Sequence, residues 1–305
     1  MIMKASHSNP DSDASTVTAA LVSVIIPCYK MGKFIGEALE SVAKQSYARW
    51  EIIAVDDCGP EDGTREIVES FASEHPEHRV EFIRHEKNKG VSAARNTAIK
   101  EARGEYIAPL DPDDYWMENH LELLHEKLSS APQGTVLAFS NVVMSSDSEI
   151  PDGTPTYPTL SELENVSQGL ALRNFIQPSA TLMRRRVILE VGGFDESLEI
   201  QHVEDWDLWL SLLNNGYEIT YVDAATAVYR LHSGSASLDE SACERWKALH
   251  AKQASFLIEH VYAHARMLQR ALDEKNGELA AVRGSRCYRL GQIVMQPVRK
   301  VMGKV

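Results

Sequence analysis

The sequence of 305 residues lacks an excess of basic residues, closely paired cysteines and long apolar runs. Its formal net charge of −13 argues against general affinity for nucleic acid, because phosphate binding requires clustered Lys and Arg. Its four cysteines have no CxxC spacing, which argues against a zinc site or a disulfide framework and favours reduced thiols. No run reaches the roughly 18 apolar residues of a membrane helix. We therefore expect a cytoplasmic protein that does not bind nucleic acid.

The two ends of the chain differ from the middle in composition. Residues 1–20 are rich in Ser, Thr, Asp and Ala but have no apolar h-region, so we expect a disordered lead-in rather than a signal peptide. Residues 283–305 hold six basic residues, no acid and several apolar residues. Such a tail suits an anionic membrane surface, here the inner face of the cell membrane. A tail that packs on the acidic protein, or hangs from it, explains the composition equally well.

Short β-branched runs alternate with segments of helical spacing from "LVSVIIP" (21–27) to "EYIAPLD" (105–111). This βαβ series predicts a doubly wound α/β sheet with right-handed crossovers. The Pro-rich stretch 145–160 is predicted to be a loop, and "SELENVSQGLALR" a single helix. We predict a main domain over 21–235, a helical extension over 236–282 and the basic tail after it.

Polar side chains cluster where the predicted strands end. In open α/β sheets, ligands bind outside the carboxyl ends of the strands. Several acids crowded at one edge repel one another unless a cation neutralises them, and Mg²⁺ or Mn²⁺ prefers oxygen ligands. The pattern predicts a divalent cation that holds a diphosphate, although an Asp-Pro-Asp-Asp turn is also a good helix cap. The residues at these strand ends are Pro27, Cys28, Tyr29, Asp56, Asp57, Asp111, Asp113 and Asp114.

Five motifs in this order resemble family 2 glycosyltransferases over about residues 21–232. They are "VSVIIPCYKMGKFIGEALESVAKQSYARWEIIAVDDCGPEDGT", "NKGVSAARNTAI", "YIAPLDPDDYW", "GGFDE" and "VEDWDLWL". The resemblance implies the A-type glycosyltransferase fold, a Rossmann-like, mostly parallel sheet flanked by helices. It also implies a metal-dependent, inverting enzyme that moves a sugar from a nucleotide-diphosphate-sugar to a hydroxyl of a glycan. The expected acceptor is a glycan or lipid-linked glycan of surface polysaccharide synthesis.

The same resemblance assigns donor-site roles to individual residues. Pro27 and Tyr29 would line the base pocket, and Asp57 would accept a hydrogen bond from the base. Arg95 would approach the diphosphate. Asp111 and Asp113 look like the family's DxD pair, with Asp111 nearer the ribose and Asp113 the direct ligand of the metal.

The remaining matches concern the acceptor side and a closing loop. Inverting transfer needs a base that deprotonates the acceptor hydroxyl, and the matching motif places it at Asp205, with Glu204 as an acceptor contact. Acids in a first helical turn also complement the helix dipole, which is the structural alternative for both. Asp195 in "GGFDE" is an acceptor candidate in what is equally a helix stop. His232 loosely matches a closing-loop histidine that helps to bind metal or diphosphate, although an ordinary surface histidine is the more common explanation.

Two other classes of protein remain as alternatives. A sugar-nucleotide pyrophosphorylase would share the nucleotide-binding sheet, but "PCYKMGKF" lacks the glycine-rich basic loop expected after the first strand. A non-catalytic nucleotide- or glycan-binding protein of the same fold would not need intact acids at Asp57, Asp113 and Asp205. Transfer assays combined with calorimetry would separate these classes.

Overall fold

A computed structural model describes residues 20–146, 154–156, 158–232 and 242–284. The lead-in 1–19 and the tail from 285 onward lie outside these ranges, so the expectations for disorder and for membrane contact remain predictions. No helix within the described ranges combines the length and the apolar character needed to cross a bilayer.

The first half of the sheet is parallel, as the βαβ pattern predicts. Its strands lie in the order β3-β2-β1-β4 and all three of their pairings are parallel. Every residue of β1 is buried, which is typical of a parallel strand covered on both faces. The elements are β1 (Val22–Cys28), α1 (Ile35–Ala43), β2 (Trp50–Asp56), α2 (Thr64–Glu74), β3 (Val80–Arg84), α3 (Val91–Glu101) and β4 (Tyr106–Pro109).

The second half of the sheet reverses direction, so the whole sheet is mixed rather than uniformly parallel. The order continues as β4-β8-β6-β9-β5, and β8 runs antiparallel to both of its neighbours. Part of the predicted 145–160 loop is strand, because β7 pairs with β6. The elements are β5 (Tyr115–Trp116), α4 (His120–Ser129), β6 (Thr135–Ser146), β7 (Thr154–Thr156), β8 (Thr181–Arg184) and β9 (Glu218–Leu231).

Two predicted helices are interrupted. The segment predicted as one helix over 161–173 breaks at Asn165, whose side chain accepts a hydrogen bond from the Gln168 backbone and caps the second part. The C-terminal extension breaks at Gln253, whose side chain donates to Asp207 and Ser211 on a neighbouring helix. The remaining helices are α5 (Leu160–Glu164), α6 (Val166–Leu172), α7 (Arg185–Glu190), α8 (Glu204–Asn214), α9 (Ala242–Lys252) and α10 (Ala254–Gly284).

The sheet separates two apolar cores, one on each face. Successive residues of β1 alternate between them: Val24 and Ile26 enter one core, and Ile25 enters the other. The core that contains Ile25 also holds Trp209 of α8 and Leu257 of α10. The start of the helical extension is therefore packed into the main domain, on the same side of the sheet as α8.

Candidate active site

The end of β1 presents an aromatic ring at the edge of the sheet. Pro27 is buried in the strand beside Val55 of β2. Tyr29 is 42% exposed, and the ammonium of Lys30 lies 5.0 Å from the centre of its ring. Lys30 itself adopts a left-handed conformation with φ of 61°. The chain thus turns sharply after β1 and leaves the Tyr29 ring accessible at the carboxyl end of the sheet.

Asp57, at the end of β2, is buried and holds the loop that follows β3. Its carboxylate accepts hydrogen bonds from the backbone N–H groups of Lys89, at 2.9 and 3.0 Å, and of Gly90, at 2.6 Å. A ring nitrogen of His85 lies 2.7 Å from Oδ1. These partners occupy most of the acceptor capacity of the carboxylate. The structure therefore gives Asp57 a loop-anchoring role, and its expected contact with a nucleotide base stays a prediction.

The three aspartates after β4 have different surroundings. Asp111 accepts a hydrogen bond from Arg95 at 2.7 Å. Asp114 is fully committed to the fold, because it accepts from the Ser179 hydroxyl at 2.6 Å and from the Arg230 backbone at 3.0 Å. Burial and the charges of its two neighbours raise the pKa of Asp114 well above its ordinary value. Of the three aspartates at this turn, Asp111 and Asp113 are therefore the candidates for binding a ligand or a metal.

Asp113 and His232 meet at one point of the site. His232 Nε2 lies 3.0 Å from Asp113 Oδ2, and the imidazole stacks on Phe34 with ring centres 4.7 Å apart. Burial and the charge of Asp111 raise the pKa of Asp113. In the described ranges, no group of three or more His, Cys, Asp or Glu side chains is assembled around one point. One carboxylate and one imidazole nevertheless fit a divalent cation that takes its other ligands from a diphosphate.

Arg95, on α3, connects the aspartate turn with α8. Its guanidinium is 3% exposed and donates to Asp111 at 2.7 Å and to Glu204 Oε1 at 2.6 Å. It also lies over the Phe194 ring, 5.1 Å from its centre. The second oxygen of Glu204 is buried and has no hydrogen-bond partner. Glu204 is thus an internal ion-pair partner of Arg95 in this structure, and its predicted contact with an acceptor is not shown.

Asp205 stands beside this bridge at the start of α8. Burial, followed by the charge of Glu204, raises the pKa of Asp205 to about 7. Its Oδ2 accepts a hydrogen bond of 2.9 Å from the side chain of Asn174. The Asn174 carbonyl oxygen accepts from the Ile176 backbone at 3.2 Å, which fixes the orientation of the amide. A carboxylate whose pKa lies near neutrality is suited to take a proton in general-base chemistry.

Asp195 has different partners from those expected of an acceptor contact. One oxygen accepts from the Ser197 backbone and the other from Lys252, at the end of α9. Lys252 also donates to Asp207 on α8, at 2.7 Å. These contacts lower the pKa of Asp195, despite the opposing effect of partial burial. Asp195 therefore ties the "GGFDE" loop to the helical extension, and an acceptor role for it remains a prediction.

Three contributors to the site were not identified from the sequence. Asn174 orients Asp205, His85 binds Asp57, and Ser179 joins Asp111 to Asp114 by accepting from the backbone of one and donating to the carboxylate of the other. Each lies 28 or more residues from its partner along the chain. The sequence signal used to find site residues was a polar side chain at the end of a strand. Of these three residues, only His85, which directly follows β3, has that position.

Comparison with known proteins decides the family. Residues 23–192 match the sequence model described as glycosyl transferase family 2. The chain belongs to this family. The glycosyltransferase is 33% identical over 241 residues, 79% of its own length and 88% of the relative's, to TuaG of Bacillus subtilis, which is assigned to teichuronic acid biosynthesis. It is 32% identical over 219 residues, 71% and 79% of the two chains, to the Escherichia coli enzyme WfgD, named as a UDP-Glc:α-D-GlcNAc-diphosphoundecaprenol β-1,3-glucosyltransferase.

Solved structures support the fold of the glycosyltransferase. S. aureus TarS 1–349 in complex with UDP-GlcNAc has a TM-score of 0.59 at 24% identity, over 77% of this chain and 66% of that one. The mannosyltransferase PcManGT of Pyrobaculum calidifontis, with GDP-Man and Mn²⁺, has a TM-score of 0.56 at 17% identity, over 95% and 89% of the two chains. The expected fold class is therefore confirmed, with a mixed sheet and a helical C-terminal extension.

Proposed function

We propose that this glycosyltransferase moves a sugar, with inversion, from a nucleotide-diphosphate-sugar to a hydroxyl of a glycan acceptor. The observation that carries the proposal is a continuous path of contacts from the donor side of the site to the base. Asp111 is bound to Arg95, Arg95 to Glu204, and Glu204 precedes Asp205 at the start of α8. A base and a diphosphate-binding turn in one rigid assembly are what direct displacement at an anomeric carbon requires.

The donor would lie along the carboxyl ends of the parallel strands. The exposed ring of Tyr29 offers a stacking surface for the base, and the loop held by Asp57 would form the adjacent wall. Asp111, oriented by Arg95, would face the ribose. A UDP-sugar is our first candidate, because the name of WfgD specifies UDP-Glc and TarS binds UDP-GlcNAc.

Asp113 and His232 would hold a divalent cation, Mn²⁺ or Mg²⁺, with Asp111 nearby. When bound, such a cation would neutralise the negative charge that develops on the departing diphosphate. Support comes from the proximity of the two side chains and from the raised pKa of Asp113, which reflects burial and crowding of like charge. Mn²⁺ in the PcManGT structure is consistent with a metal in this fold.

Asp205 would act as the general base. In its ionised form it takes the proton of the attacking hydroxyl, which makes the acceptor oxygen nucleophilic as the bond to the diphosphate breaks. Asn174 donates to Oδ2 of Asp205 and so helps to fix the carboxylate that would take this proton. The positive charge of Arg95 lies between Asp111 and Glu204 and offsets the mutual repulsion of the acids.

We further propose that the acceptor is a lipid-linked glycan of the cell envelope. The relatives support this, since TuaG is assigned to teichuronic acid biosynthesis and WfgD is named for an undecaprenol-diphosphate-linked acceptor. Attachment of the protein to the inner face of the membrane through residues 283–305 would bring the site to such an acceptor. That tail carries six basic residues and no acid.

A thermal-shift screen of UDP-, GDP-, dTDP- and CMP-sugars, with and without Mn²⁺, tests the donor and the metal together. We expect one nucleotide class to stabilise the protein, and only with the cation present. A ligand at 100 times its dissociation constant adds about 2.7 kcal/mol to the free energy of unfolding. A transfer assay with the stabilising donor and a lipid-linked acceptor then tests turnover. If no nucleotide-sugar stabilises the protein or supports transfer, the proposal fails.

A further inference from the structure

Helix α10 leaves the main domain soon after it begins. Phe256 and Leu257, in its first turn, are buried in the core. From Ala265 to Ala280 every side chain is exposed. With a rise of about 1.5 Å per residue, this stretch extends for roughly 24 Å. A helix of this length gains little stability from its own backbone and is expected to pack against a partner.

The exposed face of α10 carries a narrow seam with coiled-coil spacing. Its positions are separated alternately by three and four residues, which is the 3.5-residue period of a left-handed coiled coil. A helix that lies on a membrane has a broader apolar face and a strongly charged opposite face. The positions of this seam are Ile258, Val261, Ala265, Leu268, Leu272, Lys275 and Leu279.

The charge of α10 is suited to a second copy of the same helix. Its four acids are balanced by four bases, so the helix has no formal net charge. The chain as a whole carries −13, and all of that charge therefore lies outside α10. Two copies of this protein would repel each other through the net negative charge outside α10, but two copies of α10 would not repel each other. The acids are Glu259, Asp273, Glu274 and Glu278, and the bases are Arg266, Arg270, Lys275 and Arg283.

We propose that α10 is a homodimerisation helix that pairs in antiparallel orientation with α10 of a second copy. A parallel pair would stack Lys275 on the partner's Lys275 inside the seam, which places two like charges in contact. An antiparallel pair centred near Arg270 puts Lys275 beside an alanine instead, where its aliphatic stem has room. The layers of the seam are then Leu268 on the partner's Leu272, Val261 on the partner's Leu279 and Lys275 on the partner's Ala265.

The residues that flank the seam agree with this orientation. His264 faces the partner's Glu278, and Gln269 faces the partner's Gln269, so no like charges oppose each other. The main domain is joined to the first turn of α10, where Leu257 is buried. Antiparallel pairing therefore sets the two main domains at opposite ends of the paired helices, whereas parallel pairing would crowd them side by side.

Sedimentation equilibrium of the full chain under reducing conditions, over a range of concentrations, tests the proposal. We expect the mass of a dimer for the unaltered protein. The double variant Leu268→Glu/Leu272→Glu places acids in the centre of the seam and should weaken dimerisation by at least about 100-fold. The matched control is Met267→Glu, since Met267 is also exposed on α10 but lies outside the seam. This control should remain dimeric.

Orientation and fold are checked with two further measurements. The Gln269→Cys variant, mixed with a thiol-reactive crosslinker of short span, should give covalent dimers in an antiparallel pair, because the two positions face each other. Nucleotide-sugar binding should be unchanged in the double variant, which shows that the main domain is intact, whereas the helical circular dichroism signal should fall because α10 loses the partner that stabilises it.

Each of three outcomes would overturn the proposal. The first is a monomer at all concentrations, which would also be the result if residues 285–305 fold back on the seam. The second is a dimer that survives Leu268→Glu/Leu272→Glu. The third is a monomer that sediments with anionic vesicles and loses this binding in the double variant, since the seam would then contact lipid.

Discussion

Replacing Asp205 by Asn should abolish turnover and preserve donor binding. The amide has nearly the same shape and can still accept the hydrogen bond from Asn174, which is 2.9 Å long in the unaltered protein. It cannot take the proton of the acceptor hydroxyl. Loss of a general base typically lowers the rate by about 10² to 10⁴. Donor binding should hardly change, because it is assigned to Tyr29, Asp111 and Asp113.

The same substitution should stabilise the fold at alkaline pH. The pKa of Asp205 is raised from 3.8 to about 7 in the folded state. The folded protein therefore binds this proton more tightly than the unfolded chain, and it loses stability as the pH rises through that window. At about 1.4 kcal/mol per pKa unit, the ionised carboxylate destabilises the fold by up to about 4 kcal/mol above pH 7. The neutral amide of the Asp205→Asn variant would carry no such penalty, whereas near pH 4 the two proteins should be almost equally stable.

Calorimetry with the nucleotide-sugar, a transfer assay, and urea denaturation at two pH values measure the three effects. Asp207→Asn is the matched control, since Asp207 lies on the same helix but binds Lys252 and Gln253 of the extension. It should lose roughly 1 to 3 kcal/mol of stability and keep most of its turnover.

Retained turnover in Asp205→Asn would remove Asp205 from the role of base. Lost donor binding would show that it serves the structure of the donor site instead. A variant that is no more stable than the unaltered protein at about pH 8 would contradict the raised pKa.

Three other predictions concern the metal, the orientation of the base and the tail. Asp113→Ala should remove Mn²⁺-dependent donor binding in calorimetry and leave the circular dichroism spectrum unchanged; equal donor affinity with Mn²⁺ present would refute the metal assignment. In Asn174→Ala, the rise of turnover with pH should occur at higher pH, because the hydrogen bond that is removed lowers the pKa of Asp205 in the unaltered protein. An unshifted pH–rate profile would show that Asn174 has only a structural role. Truncation before Arg283 should weaken sedimentation with anionic liposomes, since each basic residue contributes about 1 kcal/mol, yet preserve transfer to a soluble acceptor; unchanged sedimentation would favour a tail that packs on the protein.

The parallel half of the fold was predictable because its signals are local. Its strands are short runs rich in apolar residues, and helices with apolar residues at helical spacing, such as α1, alternate with them. The ends of these strands then located Tyr29, Asp57 and the aspartate turn at one edge. That Asp111 and Arg95 are in contact follows the expected convergence of the loops.

The rest of the fold and site depends on pairings between distant segments. Nothing local indicates that β8 runs antiparallel to β4 or that β5, with two residues, pairs with β9. The helix breaks at Asn165 because this side chain caps α6. The apolar spacing of the segment fits a single helix and therefore gives no sign of the break. Asn174 belongs to the site only because the chain folds it back on α8. The partners of Asp57 were missed for a similar reason, since two of them are backbone groups with no sequence signature.

The partners of Asp114, the third aspartate of the turn, determine which fragments of the protein keep this turn intact. Its carboxylate is bound by Ser179 before β8 and by the backbone of Arg230 in β9. The parallel strands β1 to β4 end at Pro109, so a fragment that contains only these strands and the turn would lack both partners. Asp111 and Asp113 would then lie on a turn that has lost these two hydrogen bonds, and Asp114, which is buried in the whole protein, would be exposed. A cut at any point between Asp114 and Arg230 therefore separates this aspartate turn from at least one of the two groups that hold Asp114 in place.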